Sequence, residues 1–110
     1  MRTHQEIDQR SLAMHRLVAD KIRREPARFD AARATVARWR LTVCATTQPY
    51  LAEWEHLMQQ GMDTCLAVAV EDSPHATALR QSSPFTRVLS NTERFEFLKT
   101  WRSHHATTRT

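Results

Sequence analysis

Apolar side chains recur along this chain at steps of three, four or seven residues, the spacing typical of one face of an α-helix. Thr3 precedes Glu6 by three residues, as in a capping box at the start of a helix. A first helix is therefore predicted over about residues 4–24. Its apolar stripe consists of Ile7, Met14, Leu17, Val18 and Ile22.

Prolines and the single glycine divide the pattern that follows. Pro26 suits the first turn of a second helix, and Pro49 starts a third helix after a connector over residues 44–49. Gly61 stands where a helix C-cap takes a left-handed residue, and a short buried helix is expected after it, over about residues 63–70. The stripe of the second helix consists of Phe29, Val36, Trp39 and Val43, and that of the third consists of Tyr50, Trp54, Leu57 and Met58.

A fifth helix is predicted between two prolines. Asp72 or Ser73 is expected to cap it, Pro74 lies in its first turn, and the helix stops before Pro84. The alternating pattern of a half-buried β-strand is missing throughout the chain. The tryptophans all lie on helical stripes and are expected to pack in the core; they are Trp39, Trp54 and Trp101.

The last helix is predicted from a second capping box, formed by Ser90 and Glu93. After Trp101 the chain is polar, so residues 104–110 are expected to form a flexible tail. The fold class predicted is all-α, a compact bundle of five to six short helices in a single domain over residues 1–103. The apolar residues expected to face inward from the last helix are Phe95, Phe97, Leu98 and Trp101.

Composition supports a folded domain and disfavours three classes of protein: β-rich folds, membrane-spanning proteins and exported proteins. The chain has 110 residues, of which 41% are hydrophobic, with one Gly and four Pro; this disfavours a turn-rich β-sandwich or barrel. No stretch approaches the roughly 18 apolar residues of a membrane-spanning helix, and the first residues lack the apolar core of a signal peptide. We expect a cytoplasmic protein that enters no membrane, with Cys44 and Cys65 reduced and packed in the core.

Histidines and glycines are not spaced along this chain as metal-binding or phosphate-binding sites require. The only neighbouring pair of histidines is His104 and His105, whose side chains would diverge by about 100° on a helix. A single glycine does not build a glycine-rich phosphate loop. No metal site and no cofactor is therefore expected.

Charge is segregated along the chain. Residues 10–40 contain nine Lys/Arg and three Asp/Glu, residues 41–79 contain five Asp/Glu and no Lys or Arg, and residues 80–110 contain six Lys/Arg and two Glu. A basic face of this kind could attract nucleic acid or an acidic protein, or its arginines could simply solvate two exposed helices. The arginines that would bind nucleic acid are Arg16, Arg23, Arg24, Arg28, Arg33 and Arg40.

Four residues separate Arg10 from His15. This spacing resembles the R-x4-6-H signature of the HEPN ribonucleases, which are helical and often toxins. The resemblance implies His15 as a proton carrier and Arg10 as the group that neutralises charge developing on the phosphorane. Ser11 stands where that family commonly has Asn, Asp or His, and the pair lies in the first helix rather than late in the fold. The alternative interpretation is a surface arginine and a surface histidine.

The most distinctive stretch reads L-R-Q-S-S-P-F over residues 79–85, followed by V-L-S over residues 88–90 and by E-R at residues 93–94. It resembles a run in small bacterial helical proteins that look like antitoxin or accessory members of toxin–antitoxin gene pairs, with toxins of the nucleotidyltransferase type. The resemblance is confined to this region near the C-terminus, and it implies no catalytic residues.

Two interpretations of this stretch remain open. In one, Phe85, Val88 and Leu89 anchor a well-packed corner in the core. In the other, a polar cluster contacts a protein partner; this cluster consists of Arg80, Gln81, Ser82 and Ser83. The leading hypothesis is a non-catalytic protein that binds and neutralises a co-encoded toxin. The alternatives are a nucleic-acid-binding protein and a HEPN-like ribonuclease, and a homo-oligomer is compatible with each.

Overall fold

The computed structural model describes residues 3–107, with side chains through His104. These residues form six α-helices and no strand, which confirms the predicted all-α bundle of five to six helices. The helices are α1 (His4–Arg24), α2 (Ala27–Trp39), α3 (Gln48–Gln60), α4 (Met62–Ala69), α5 (Pro74–Arg80) and α6 (Asn91–Thr107). No helix within the described range is both long enough and apolar enough to cross a membrane.

Side-chain caps fix the starts of α1 and α5. The Thr3 hydroxyl accepts a hydrogen bond from the backbone amide of Glu6 at 3.1 Å. The Ser73 hydroxyl accepts one from the amide of Ala76 at 3.2 Å, so Ser73, rather than Asp72, caps α5. Each cap gives a partner to one of the amides that a helix N-terminus otherwise leaves without one. Both helix starts therefore lie where the sequence predicts them.

Gly61 joins α3 to α4 in an extended conformation of positive φ. Its φ is 124° and its ψ is 160°, so it has the positive φ predicted for this C-cap, with an extended rather than a helical ψ. This region of backbone space is open essentially to glycine alone. A Cβ at this position would meet nothing within 4 Å, so the strain of a substitution would come from the backbone. Because Gly61 ends one helix and starts the next, α4 follows α3 without a loop.

The core is built around two aromatic rings, those of Trp54 and Phe85. Their centroids are 5.4 Å apart and the rings meet edge to face at 89°, an arrangement that aromatic pairs favour. The Trp54 indole N–H donates to the carbonyl of Leu79 at 2.9 Å, so its polar atom is paired inside the core. The other large side chains with almost no exposed surface are Ile22, Leu51, Leu66, Leu79 and Val36, together with Cys65.

Trp39 and Trp101 are only half-buried, so the expectation of three core tryptophans holds for Trp54 alone. α2 ends at Trp39, and Val43 lies in the connector beyond it. The predicted second stripe therefore extends past the end of the helix.

α6 differs from the prediction in the burial of its aromatic residues and in the residue at which the helix ends. Phe95 is 64% exposed rather than buried, and Phe97 stacks on Trp101 with centroids 6.0 Å apart. The main helix-to-helix packing joins α1–α5 to one another. The backbone of α6 continues as a helix through Thr107, beyond the domain end predicted at residue 103, and residues 108–110 of the predicted tail lie outside the described residues.

Replacement of Leu66 by alanine tests the packing of the core. Leu66 is fully buried, whereas Leu41 is 86% exposed in the connector between α2 and α3. A buried Leu→Ala change removes apolar contacts and leaves a cavity, so we expect Leu66→Ala to lower the free energy of unfolding by about 2–5 kcal/mol. Leu41→Ala should change it by less than about 0.5 kcal/mol. Urea denaturation measures both, and equal effects of the two substitutions would contradict this packing.

Candidate functional site: the corner between α5 and α6

The chain between α5 and α6, residues 81–90, is called the corner from here on, and half of it is buried. Gln81 is exposed and Ser82 is half-buried. A buried loop must find partners for backbone and side-chain polar groups that water cannot reach. The buried residues of the corner are Ser83, Pro84, Phe85, Val88 and Leu89.

A buried histidine of α1 supplies one of these partners. His15 Nδ1 lies 2.7 Å from the carbonyl oxygen of Ser11, and His15 Nε2 lies 2.8 Å from the hydroxyl of Ser83. A carbonyl only accepts, so Nδ1 carries the proton in the neutral ring. Nε2 then accepts from the Ser83 hydroxyl. The two bonds together fix one tautomer of the ring and join the corner to the middle of α1.

Ser83 also holds the backbone of the corner. Its hydroxyl oxygen accepts from the backbone amide of Phe85 at 3.1 Å, and the Phe85 ring meets the His15 ring at 86° with centroids 6.4 Å apart. Burial lowers the pKa of His15 below its usual 6.5; the Ser11 carbonyl opposes this effect and the charge of Arg80 adds to it. The ring is therefore neutral at pH 7 and accepts the Ser83 bond.

Arg80 binds the end of α4 from inside the protein. One guanidinium nitrogen, Nη1, donates to the carbonyls of Ala69 at 3.2 Å and Glu71 at 2.7 Å, and Nη2 donates to the Thr77 hydroxyl at 3.2 Å. Its Nε has no hydrogen-bond partner among the described residues. Carbonyls at a helix C-terminus lack partners within the helix, so a cation placed there caps it. Arg80 thus ties α5 to α4.

The predicted partner-binding cluster is divided by the fold. Arg80 and Ser83 are about 95% buried and are engaged in internal hydrogen bonds. Gln81 faces solvent and Ser82 is half-buried. Only these two of the four residues lie where a partner could reach them without opening the corner.

The Arg10 and His15 pair does not form an open site. His15 is buried with both ring nitrogens hydrogen-bonded, so the interpretation of a surface histidine is wrong. Residues five apart in a helix point about 140° away from each other, and Arg10 is only half-buried. An RNA phosphate would reach His15 only after the corner had moved, so the geometry lends no support to the ribonuclease alternative.

The arginines of α1 and α2 fall into paired and unpaired groups. Arg28 lies 3.2 Å from Glu25 and Arg33 lies 3.9 Å from Asp30, each one helical turn from its carboxylate. The exposed arginines that lie within 4.0 Å of no described carboxylate are Arg16, Arg23 and Arg24 of α1 and Arg38 of α2. Arg40, which follows α2, is half-buried. The basic surface is therefore a property of α1 more than of α2.

The two cysteines have opposite environments. Cys65 is fully buried, as expected, and burial raises the pKa of its thiol to about 12. Cys44 is exposed, so the prediction that it packs in the core is wrong. Hydrogen bonds from the hydroxyls of Thr46 and Thr47, at 3.1 and 3.5 Å, lower the pKa of Cys44 to about 7.

A groove of about 600 Å³ runs between the N-terminal half of α1 and the start of α5. Asp8 and Asp72 contribute carboxylates of opposite charge to Arg80, which lines the same groove. Its other lining residues include Gln5, Gln9 and Thr77. No group of three or more potential metal ligands converges within residues 3–104, here or elsewhere.

A buried lysine ties the start of α6 to α1. Lys21 is buried, and its ammonium group binds the carboxylate of Glu93. That carboxylate also accepts from the amide of Ser90 at 2.8 Å, while the Ser90 hydroxyl accepts from the amide of Glu93 at 3.1 Å. This is the predicted capping box with an added interhelical ion pair. The hydrogen bond from Lys21, with those from Ser90, lowers the pKa of Glu93 to about 2.

The chain matches no known protein family, no curated protein and no solved structure.

Removal of the Arg80 side chain tests its role as an internal cap. Arg80→Ala leaves the carbonyls of Ala69 and Glu71 without their donor, and we expect the free energy of unfolding to fall by about 2–4 kcal/mol. Arg87→Ala is the matched control, because Arg87 is exposed in the corner and should change stability by less than about 0.5 kcal/mol. Urea unfolding at pH 7 compares them, and an Arg80→Ala variant as stable as the control would refute the capping role.

Acid titration tests the contact between Lys21 and Glu93. A carboxylate whose pKa is lowered on folding stabilises the fold above its unfolded pKa of 4.5, and that contribution is lost as pH falls towards about 2. Glu93→Gln should therefore lose stability at pH 7 and show a flatter decline between pH 5 and 2. Glu96→Gln, an exposed change on the same helix, should keep the wild-type decline. Urea midpoints across this range measure both, and identical curves would exclude the contact.

Proposed function

We propose that this chain is a non-catalytic protein-binding protein, an antitoxin or accessory subunit that binds and neutralises a co-encoded toxin. The observation that carries the proposal is the apolar surface left uncovered on α6, where Phe95 is 64% exposed. A large aromatic side chain exposed to water is a common anchor of protein–protein interfaces. Leu17 and Ile7 on α1 add further exposed apolar surface.

One side of α6 presents residue types that are frequent in protein interfaces. Phe95, Leu98 and Arg102 recur at steps of three and four and therefore share one face. Phe97 and Trp101 stack on each other and are half-buried. Aromatic and arginine side chains dominate the energetics of interfaces. A partner that covers the 64% of Phe95 that is exposed would gain about 1–2 kcal/mol from that ring alone.

The polar residues of the corner support a binding role over a catalytic one. Ser83 in the corner, His15 of α1 and the two Nη atoms of Arg80 of α5 all make their hydrogen bonds inside the protein. The exposed Gln81 and half-buried Ser82 remain for a partner on the segment that leads into α6. The resemblance of residues 79–94 to runs in toxin–antitoxin proteins supports a toxin as that partner.

Co-expression with the product of the adjacent gene tests the proposal. We expect the two proteins to co-purify and the pair to restore growth of cells in which the neighbour alone is toxic. Phe95→Ala should weaken the complex by at least about tenfold, the loss typical of an aromatic interface anchor, while its circular dichroism spectrum stays that of the parent. The dissociation constant is measured by calorimetry on the purified proteins.

The matched control is Leu41→Ala, which removes an even more exposed apolar side chain in the connector between α2 and α3. Its affinity should equal that of the parent. Failure of the neighbour to co-purify would count against the antitoxin role, and a Phe95→Ala variant that binds as tightly as the parent would place the interface elsewhere than α6.

A second candidate, nucleic-acid binding, is favoured by the arginines of α1 that have no carboxylate partner. Arg16 and Arg23 are seven residues apart and share one exposed face of the helix. Fluorescence anisotropy with duplex DNA or single-stranded RNA at about 50 mM salt should show binding that falls steeply as salt rises. The double substitution of both arginines by alanine should reduce the salt slope by about two. Absence of binding at low salt would eliminate this candidate.

A further inference from the structure

The junction between α1 and the corner contains a buried titratable group, the imidazole of His15. Ser83 and Phe85 follow His15 by 68 and 70 residues in the sequence, yet the three residues form one continuous series of hydrogen bonds. The Ser11 carbonyl accepts from His15 Nδ1, His15 Nε2 accepts from the Ser83 hydroxyl, and Ser83 accepts from the Phe85 amide. Each donor in this series of hydrogen bonds has one acceptor. The series requires a neutral imidazole, because only an unprotonated Nε2 can accept from the Ser83 hydroxyl.

We propose that His15, Ser83 and Phe85 form an acid-sensitive latch, in which protonation of His15 Nε2 releases the corner from α1. The proton comes from solvent and occupies the lone pair that had accepted the Ser83 hydroxyl. The Ser83 oxygen would then face two donors, Nε2–H and the Phe85 amide. Its own hydrogen would have to turn into a buried region, where an unpaired hydroxyl is costly.

The charges around the latch oppose a protonated ring. Arg80, from α5, is the charged group that acts on His15 directly, and its guanidinium repels an imidazolium. Arg16 on α1 adds a second positive charge near Arg80. The carboxylates that act on Arg80 are those of Asp72, Asp8 and Glu71, from the turn before α5 and from α1. No described carboxylate bonds to the His15 ring, because both of its nitrogens are occupied.

The direction of the pH effect follows from burial. Burial lowers the pKa of His15 in the closed corner, whereas a ring released into water has a pKa of about 6.5. Opening therefore takes up a proton below about pH 6.5, and the opening equilibrium rises by up to about tenfold for each pH unit below that value. Above about pH 7 the ring is neutral in both states and the equilibrium is independent of pH.

Amide hydrogen exchange of the full chain tests the latch. The exchange rate of the Phe85 amide, corrected for its intrinsic pH dependence, is measured from pH 7.5 to 5.0 together with that of Ile22 in the core of α1. We expect Phe85 to lose protection progressively below pH 6.5, by up to about tenfold per pH unit, while Ile22 stays protected. If both amides lose protection in parallel, acid unfolds the whole chain and the latch is overturned. A Phe85 amide with constant protection overturns it as well.

Substitutions distinguish the pH effect of His15 from that of the other histidines. His15→Gln keeps a donor for the Ser11 carbonyl and an acceptor for Ser83 but takes up no proton in this range, so its Phe85 protection should be flat with pH. His56→Gln, an exposed change on α3, should keep the wild-type profile. Ser83→Ala removes the donor that favours the neutral ring, so the His15 titration should move to higher pH.

A spectroscopic readout keeps the test independent of how well these variants fold. The imidazole ¹⁵N resonances of wild-type His15 should show Nδ1 protonated and Nε2 unprotonated at pH 7.5. Nε2 should take up its proton only below pH 6.5, together with the change at the Phe85 amide. An imidazole protonated at Nε2 at pH 7.5, or one that titrates without any change at Phe85, would overturn the proposal.

Discussion

Burial of a loop is the constraint on which the rest of this structure depends. The corner inserts Phe85 against Trp54 at the centre of the core, and it can do so only if its polar groups find partners inside the protein. His15 and Arg80 reach these polar groups and the neighbouring helix ends. The indole of Trp54 pairs with the carbonyl of Leu79 beside them. The core and its polar lining therefore form one unit that holds α1, α3, α4 and α5 together.

Features that depend on residues close together in the sequence could be predicted from it. The helix starts at Thr3, Ser73 and Ser90 depend on bonds across three residues, and the pattern of such bonds is visible in the chain itself. The same holds for the single glycine, whose position between α3 and α4 was predicted although its exact conformation was not. Periodicity also identified Trp54 as a core residue.

The candidate site could not be predicted to the same degree, because its decisive contacts join residues far apart in the sequence. His15 and Ser83 are separated by 68 residues, and Lys21 and Glu93 by 72. Periodicity states which face of a helix is apolar but not what covers it, and so Phe95 was expected inside although it is 64% exposed. The partner-binding cluster was a reasonable inference from polarity, yet two of its four residues line the interior.

The same division underlies the proposed function: side chains with reactive chemistry stabilise the corner, and the surface proposed for a partner is the side of α6 that exposes Phe95. The most direct test of this account compares Ser83→Ala with Ser82→Ala, two identical changes at neighbouring positions, by urea unfolding at pH 7.5. Ser83→Ala should lower the free energy of unfolding by about 1–3 kcal/mol, and Ser82→Ala should change it by less than about 0.5 kcal/mol. Equal and small effects of the two substitutions would contradict the account.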